Sequence, residues 1–216
     1  MAEMKWNCLF YDEWVKKEGL DLIRGHKIDD VFTQPLKPWA RTGGNAVQIQ
    51  LQGTGELNAA YICEIAPKKE LSPQKHMYEE MVFILSGRGS TTVWYDEKHK
   101  SSFEWQAGSL FAIPLNARYQ HFNGSGTERA RLCSGTNLPM MMNIFHNEGF
   151  VFDNSYVFPE RVGAPDYFAG EGEFLPVRPG RHMWETNFVP DVSAMELQNW
   201  QNRGAGGSSI CFSFAD

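Results

Sequence analysis

The sequence predicts an all-β fold, an antiparallel β-barrel or jelly roll over about residues 45–150, with extensions over 1–44 and 151–216. Three observations carry this reading. From Asn45 onward the period is two: Val47, Ile49 and Leu51 alternate with Gln48, Gln50 and Gln52, which gives one apolar and one polar face. More short strand-like runs follow, AAYICEI, MVFIL, STTVWY, SLFAIP, ARLCS and MMMNIF. The turn clusters GTGELN, SGRG and NGSG punctuate them, and strands so spaced with little helix between them make a sandwich or barrel.

Ahead of the strands, the stretch from Tyr11 to Glu18 reads as a helix with Gly19 as its stop. The Pro-rich passage QPLKPWARTGGN reads as an arm lying across something rather than as a core element. After Phe152 the pattern loosens. The stretch from Pro159 to Pro179, rich in Gly, Pro and aromatics, is either an ordered loop over the barrel or a linker. Val192 to Asn202 suits a short helix, and SSICFSF reads as a last strand that pairs with a sheet.

Composition narrows the function classes. With 216 residues there is enough chain for one good core. Lys plus Arg number 20 against 26 Asp plus Glu, a net charge of −6, so no basic field favours nucleic acid. No apolar run reaches the roughly 18 residues of a membrane span. The N-terminal MAEMKWNCLFYDEW has acids where a signal peptide is basic, and the expectation is a cytoplasmic protein. Cys8, Cys63, Cys133 and Cys211 are scattered with no C-x-x-C pair, which argues against a zinc ribbon or disulfide framework. Cys63 and Cys133 read as buried thiols.

Two segments carry the chemistry. In Pro73-Gln74-Lys75-His76-Met77-Tyr78-Glu79-Glu80, Gln74 and His76 share one face of an extended segment and Glu80 opens the next strand. In the later segment LNARYQHFN, Tyr119, His121 and Asn123 share a face. If both faces point inward, His76, Glu80 and His121 converge as two imidazoles and a carboxylate, a set that suits Fe(II) and accepts Mn(II), Ni(II) or Zn(II). Gln74 is then a weak oxygen ligand or a hydrogen-bond donor behind the ligands. Tyr78 and Tyr119 line the pocket as acids or hydrogen-bond donors, or simply pack there. His146 reads as a rim residue at a strand end, His26, His99 and His182 as surface, and Met140 to Met142 as barrel filling.

These segments resemble the cupins. The first cupin motif, G-x5-H-x-H-x3-E-x6-G, is matched by His76, Glu80 and Gly87, with Lys68 at the opening Gly and Gln74 at the first His. The second, G-x5-P-x-G-x2-H-x3-N, is matched by Gly108, Pro114 and Asn123, with Asn116 replacing Gly and Tyr119 replacing His. His121 lies two residues beyond that vacated position. GRGSTTVW, FEWQAGSLFAIPLNARYQHFNGSGTE and MNIFHNEGF look like the N-terminal half of bacterial gentisate-dioxygenase-like two-cupin proteins, and WETNFVPDV with RGAGGSSICFSFAD looks like their passage into a second cupin. The resemblance implies a mononuclear metalloenzyme, Fe(II) favoured, acting on a small oxygenated acid or aromatic, with dioxygenation as the reaction it suggests. The alternative is a non-catalytic cupin, a ligand-binding or assembly domain with a degraded site. A homodimer is expected, with the Pro-rich arm or the strand-like tail covering a neighbour's sheet edge.

Overall fold

A computed structural model describes residues 9–158, 168–178, 181–195 and 212–213. Helix α1 (Phe10–Lys17) has Asp12 and Glu13 in its first turn and Lys16 and Lys17 in its last, charges that complement the helix dipole. Its apolar side buries Tyr11, Trp14 and Val15. Gly19, at φ +74°, takes the left-handed conformation that ends it.

Strands dominate the rest. The larger sheet runs β1 (Leu22–Gly25), β3 (Gly44–Leu51), β4 (Ala59–Ile65), β10 (Ala130–Thr136), β5 (Glu80–Ser86), β8 (Leu110–Ile113) and β13 (Phe188–Val189), with β2 (Lys37–Trp39) also on β3. A second sheet runs β7 (His99–Gln106), β6 (Arg88–Asp96) and β9 (Arg118–Asn123). Residues 69–76 extend this second sheet along β9 through paired bonds between Gln74 and Tyr119 and a bond from Leu71 N to the His121 carbonyl. A third, small sheet holds β11 (Glu173–Arg178), β12 (Arg181–Glu185) and β14 (Phe212–Ser213).

The main core lies between the two larger sheets. Tyr61, Val82, Ile84, Phe111 and Leu132 of one pack with Val93, Phe103, Trp105 and Tyr119 of the other. Among the described residues no ladder joins these sheets into a closed cylinder; side-chain packing holds them together. The pairing is also not wholly antiparallel, because β1 on β3 and β14 on β12 are parallel.

A second cluster, Val47, Ile49, Ile62 and Leu85, lies on the outer face of the large sheet, packed against Ile23, Ile28, Val31 and Leu36. Buried Arg131 donates to the carbonyls of Phe32 and Gln34 and so fastens that stretch to its own sheet. The Pro-rich passage is more than an arm: β2 lies within it, antiparallel to β3, and Trp39 is buried in the main core.

MMMNIF is helical rather than extended. It lies in α2 (Leu138–Phe145), with Pro139 at its first turn and Leu138 and Met142 four apart on the buried side. Methionine and leucine are good helix formers, and packing of the apolar side against α1 decides the run in favour of a helix. His146 therefore caps a helix, not a strand, at φ 49° and stacked on Phe10. Helix α3 (Glu148–Phe152) follows, capped by the Asn147 side chain accepting from Phe150 N. Only a single 3-10 turn, Val192–Ala194, occupies the described start of the expected C-terminal helix; residues 196–202 and most of SSICFSF lie outside the described residues. Among the described residues no helix is long and apolar enough to cross a membrane.

Candidate functional site

The expected site residues sit on both sides of the interior. Extended residues 69–76 carry His76 on the smaller sheet's side, and Met77 to Glu79 turn across so that Glu80 opens β5 in the centre of the larger sheet. His76 Nε2 lies 2.7 Å from Glu80 Oε2, and both side chains are almost wholly buried, at 2% and 0% exposure. Tyr119 donates to the same Oε2 at 2.8 Å. Tyr61 donates to Oε1. Three donors thus hold a carboxylate that has about four acceptor positions.

The other nitrogen of His76 also faces an oxygen. Nδ1 is 2.8 Å from the Tyr78 carbonyl, which only accepts. Burial alone would raise the Glu80 pKa, but the His76 hydrogen bond and charge and the Tyr61 hydroxyl outweigh it and hold the carboxyl down at about 2. Glu80 is therefore an anion that also only accepts. Both His76 ring nitrogens thus face oxygen atoms, Nδ1 the Tyr78 carbonyl and Nε2 the Glu80 carboxylate. Tyr78 stacks on that ring with centroids 3.7 Å apart. Burial, then the Glu80 charge, pushes the phenols of Tyr61, Tyr78 and Tyr119 well above the usual tyrosine value, so they stay protonated.

His121 stands apart from this cluster. It faces the same interior from β9 at 2% exposure, but its Nδ1 is 2.7 Å from Thr91 Oγ1 and its Nε2 has no partner. Burial lowers its pKa to about 4, against a smaller upward pull from Glu80. Gln74 turns away: its amide donates to the carbonyls of Arg41, Ser72 and Pro73. Asn123 ties β9 to the carbonyls of Ile65, Ala66 and Glu128. His26 and His99 are exposed, the latter paired with Asp96. Cys63 is buried with its thiol pushed up to about 12, and Cys133 is half-buried.

Tyr61, Thr91 and Trp105 complete the network without having been singled out from sequence. Tyr61 alternates with Ala59 and Cys63 on the inward face of β4, and a buried tyrosine hydroxyl calls for a partner. That signal was readable. No local signal pairs Thr91 with His121.

A resident metal fits these residues poorly. His76 Nε2 and Glu80 Oε2 are engaged with each other, Tyr119 donates its proton to Glu80 and Gln74 bonds elsewhere, while His121 keeps one ring nitrogen without a partner. Among the described residues no group of three or more His, Cys, Asp or Glu is placed to hold a metal ion.

The backbone supports the motif spacing independently. Lys68 and Asn116, which stand where the cupin pattern has glycine, adopt φ of 57° and 58°, and the matching Gly87 and Gly108 adopt 88° and 89°. All four lie in the left-handed region that favours glycine. Asn116 also binds the His76 carbonyl through its backbone N–H and the Asn154 and Tyr156 carbonyls through its side chain.

No family model matches the chain, and no curated protein does. Among solved structures, it is similar to vicilin from hazelnut, Corylus avellana, at 19% identity and TM-score 0.42 over 48% of this chain and 31% of that one. It is similar to oxalate decarboxylase from Bacillus subtilis at 19% identity and TM-score 0.41, over 50% of this chain and 28% of that one. The cupin domain of Schizosaccharomyces pombe Cnp3 matches at 17% identity and TM-score 0.41, over 50% of this chain and 70% of the other. The match thus spans less than a third of the vicilin and decarboxylase chains.

Proposed function

We propose that the chain is a cupin-type β-domain that binds a small molecule without a catalytic metal. The engagement of both Glu80 oxygens by Tyr61, Tyr119 and His76 carries this reading. In a metal site, the carboxylate and imidazole would keep lone pairs for the ion. Here the carboxylate is met by the His76 ring and by two phenolic hydroxyls, an arrangement that suits a structural network beside a ligand space. The glycine-like backbone at Lys68 and Asn116 supports the cupin registration on which the reading rests.

One observation favours a second reading. The unpartnered Nε2 of His121 is the kind of group a metal would complete, and Fe(II), Mn(II), Ni(II) or Zn(II) on His76, Glu80 and His121 would make the chain a metalloenzyme. Metal analysis of protein purified without chelator separates the two. The proposal expects far less than one metal per chain and no rise in melting temperature on adding any of the four ions. Stoichiometric metal that is lost in His76→Ala would overturn it.

A further inference from the structure

A sheet edge presents backbone N–H and C=O groups without a neighbour, and most edges in this chain are blunted. Among the described residues, the larger sheet ends on β1, of four residues, and on β13, of two. Its remaining strand, β2, has three residues and contains Pro38. In the third sheet, β11 contains Pro176 and β14 has two residues. The stretch 69–76, which closes the far side of the second sheet along β9, contains Pro73. The exception is β7, with eight residues and no proline, and among the described residues it pairs only with β6. The two segments expected to cover a neighbour's edge are engaged within their own chain, β2 on β3 and β14 on β12.

The side chains of β7 fit a second β7 running antiparallel to it. Phe103 and Trp105 are buried inward, so Lys100, Ser102 and Glu104 share the outward face. A two-fold axis through Ser102 keeps the inward faces of both copies on one side and sets Lys100 opposite Glu104 of the second copy, once on each side of the axis. Opposite charges directly across a strand pair stabilise it, and like charges there repel. Moving the axis by one residue puts Lys100 opposite Ser102 or Gln106, and no pair of opposite charges within β7 remains. Both charges are available for the pairing. Glu104 is exposed and makes no ion pair among the described residues. Lys100 holds Glu97 at 2.7 Å, but Glu97 is 82% exposed and such a pair contributes little. The Lys100 ammonium also lies 5.1 Å from the ring centroid of Trp94, its register partner on β6, which keeps it on the outward face.

We propose that β7 is a self-pairing edge: two copies of this chain join β7 to β7, antiparallel about Ser102, so that their three-stranded sheets become one continuous sheet. The pairing is independent of what the interior binds, because β7 carries none of the residues around Glu80.

Sedimentation equilibrium of the full-length chain at concentrations up to roughly 100 μM, with charge exchange as the probe, tests it. Wild type should form dimers in this range. Lys100→Glu and Glu104→Lys each place like charges at both cross-strand pairs, so each should raise the dimer dissociation constant by about tenfold or more. An equimolar mixture of the two single variants restores opposite charges at both pairs and should associate as wild type does, as should the double variant Lys100→Glu/Glu104→Lys. Both positions are exposed, so the substitutions leave the core untouched. A wild type that stays monomeric, single variants that dimerise as tightly as wild type, or a mixture and a double variant that associate no better than the single variants would each overturn the inference.

Discussion

Glu80→Gln keeps the length of the side chain and removes its charge, and the structure sets the size of the effect. His76 would lose its counter-charge at a site where both side chains are at or below 2% exposure. The hydroxyls of Tyr61 and Tyr119 would exchange a carboxylate acceptor for an amide. Breaking a buried pair by removing one partner costs about 3–5 kcal/mol. His76 Nε2 can accept from the new amide, which places the expected loss near the lower end, ~3 kcal/mol. With a urea m-value of about 2–3 kcal/mol/M, the midpoint of urea unfolding should fall by roughly 1–1.5 M at unchanged slope. Chelator should leave the wild-type midpoint where it is, because the network closes on protein groups alone. A midpoint shift below ~0.2 M, or a chelator effect on wild type as large as the substitution, would refute the claim that this network is satisfied from within.

Three further outcomes follow from particular residues. His121 has its pKa lowered from 6.5 to about 4, so between those values the unfolded chain binds a proton that the folded chain refuses. Stability is then full above the upper value and declines as pH falls toward the lower, by ~3 kcal/mol at about 1.4 kcal/mol per unit; urea titrations from pH 7 to 4 should show a flatter decline in His121→Leu. Gly89→Ala would set a Cβ 2.0 Å from the Phe122 carbonyl and 2.5 Å from the Trp105 ring, so calorimetry should report a loss of several kcal/mol or no folded protein. Lys68→Gly should be neutral or stabilising by up to about 1 kcal/mol, since it relieves a side chain held at φ 57°; a clear loss would mean that the lysine makes a contact outweighing its strain.

The sequence by itself determined the alternation of residues along most of the strands, because period two is a local property that survives any arrangement of the sheets. Val47 and Ile49 went to one side and Gln48 and Gln50 to the other as their alternation requires. The helix at α1 and its glycine stop were equally local. The spacing from His76 to Glu80 also sufficed to bring those two together across a tight turn. MMMNIF was misread because a six-residue apolar run has no decisive period, and its helix depends on packing against α1 and α3.

Only the tertiary structure decided which neighbours each inward group meets. Tyr61 of β4 and Tyr119 of β9 are 58 residues apart in the chain and end on opposite oxygens of one carboxylate. His121, two residues from Tyr119 on the same face, meets Thr91 instead of Glu80. A step of two residues along a strand is roughly 6.6 Å, more than twice a hydrogen-bond length, so sharing a face does not amount to sharing a partner. Proton positions follow those partners, and with them whether an imidazole offers a lone pair or an N–H.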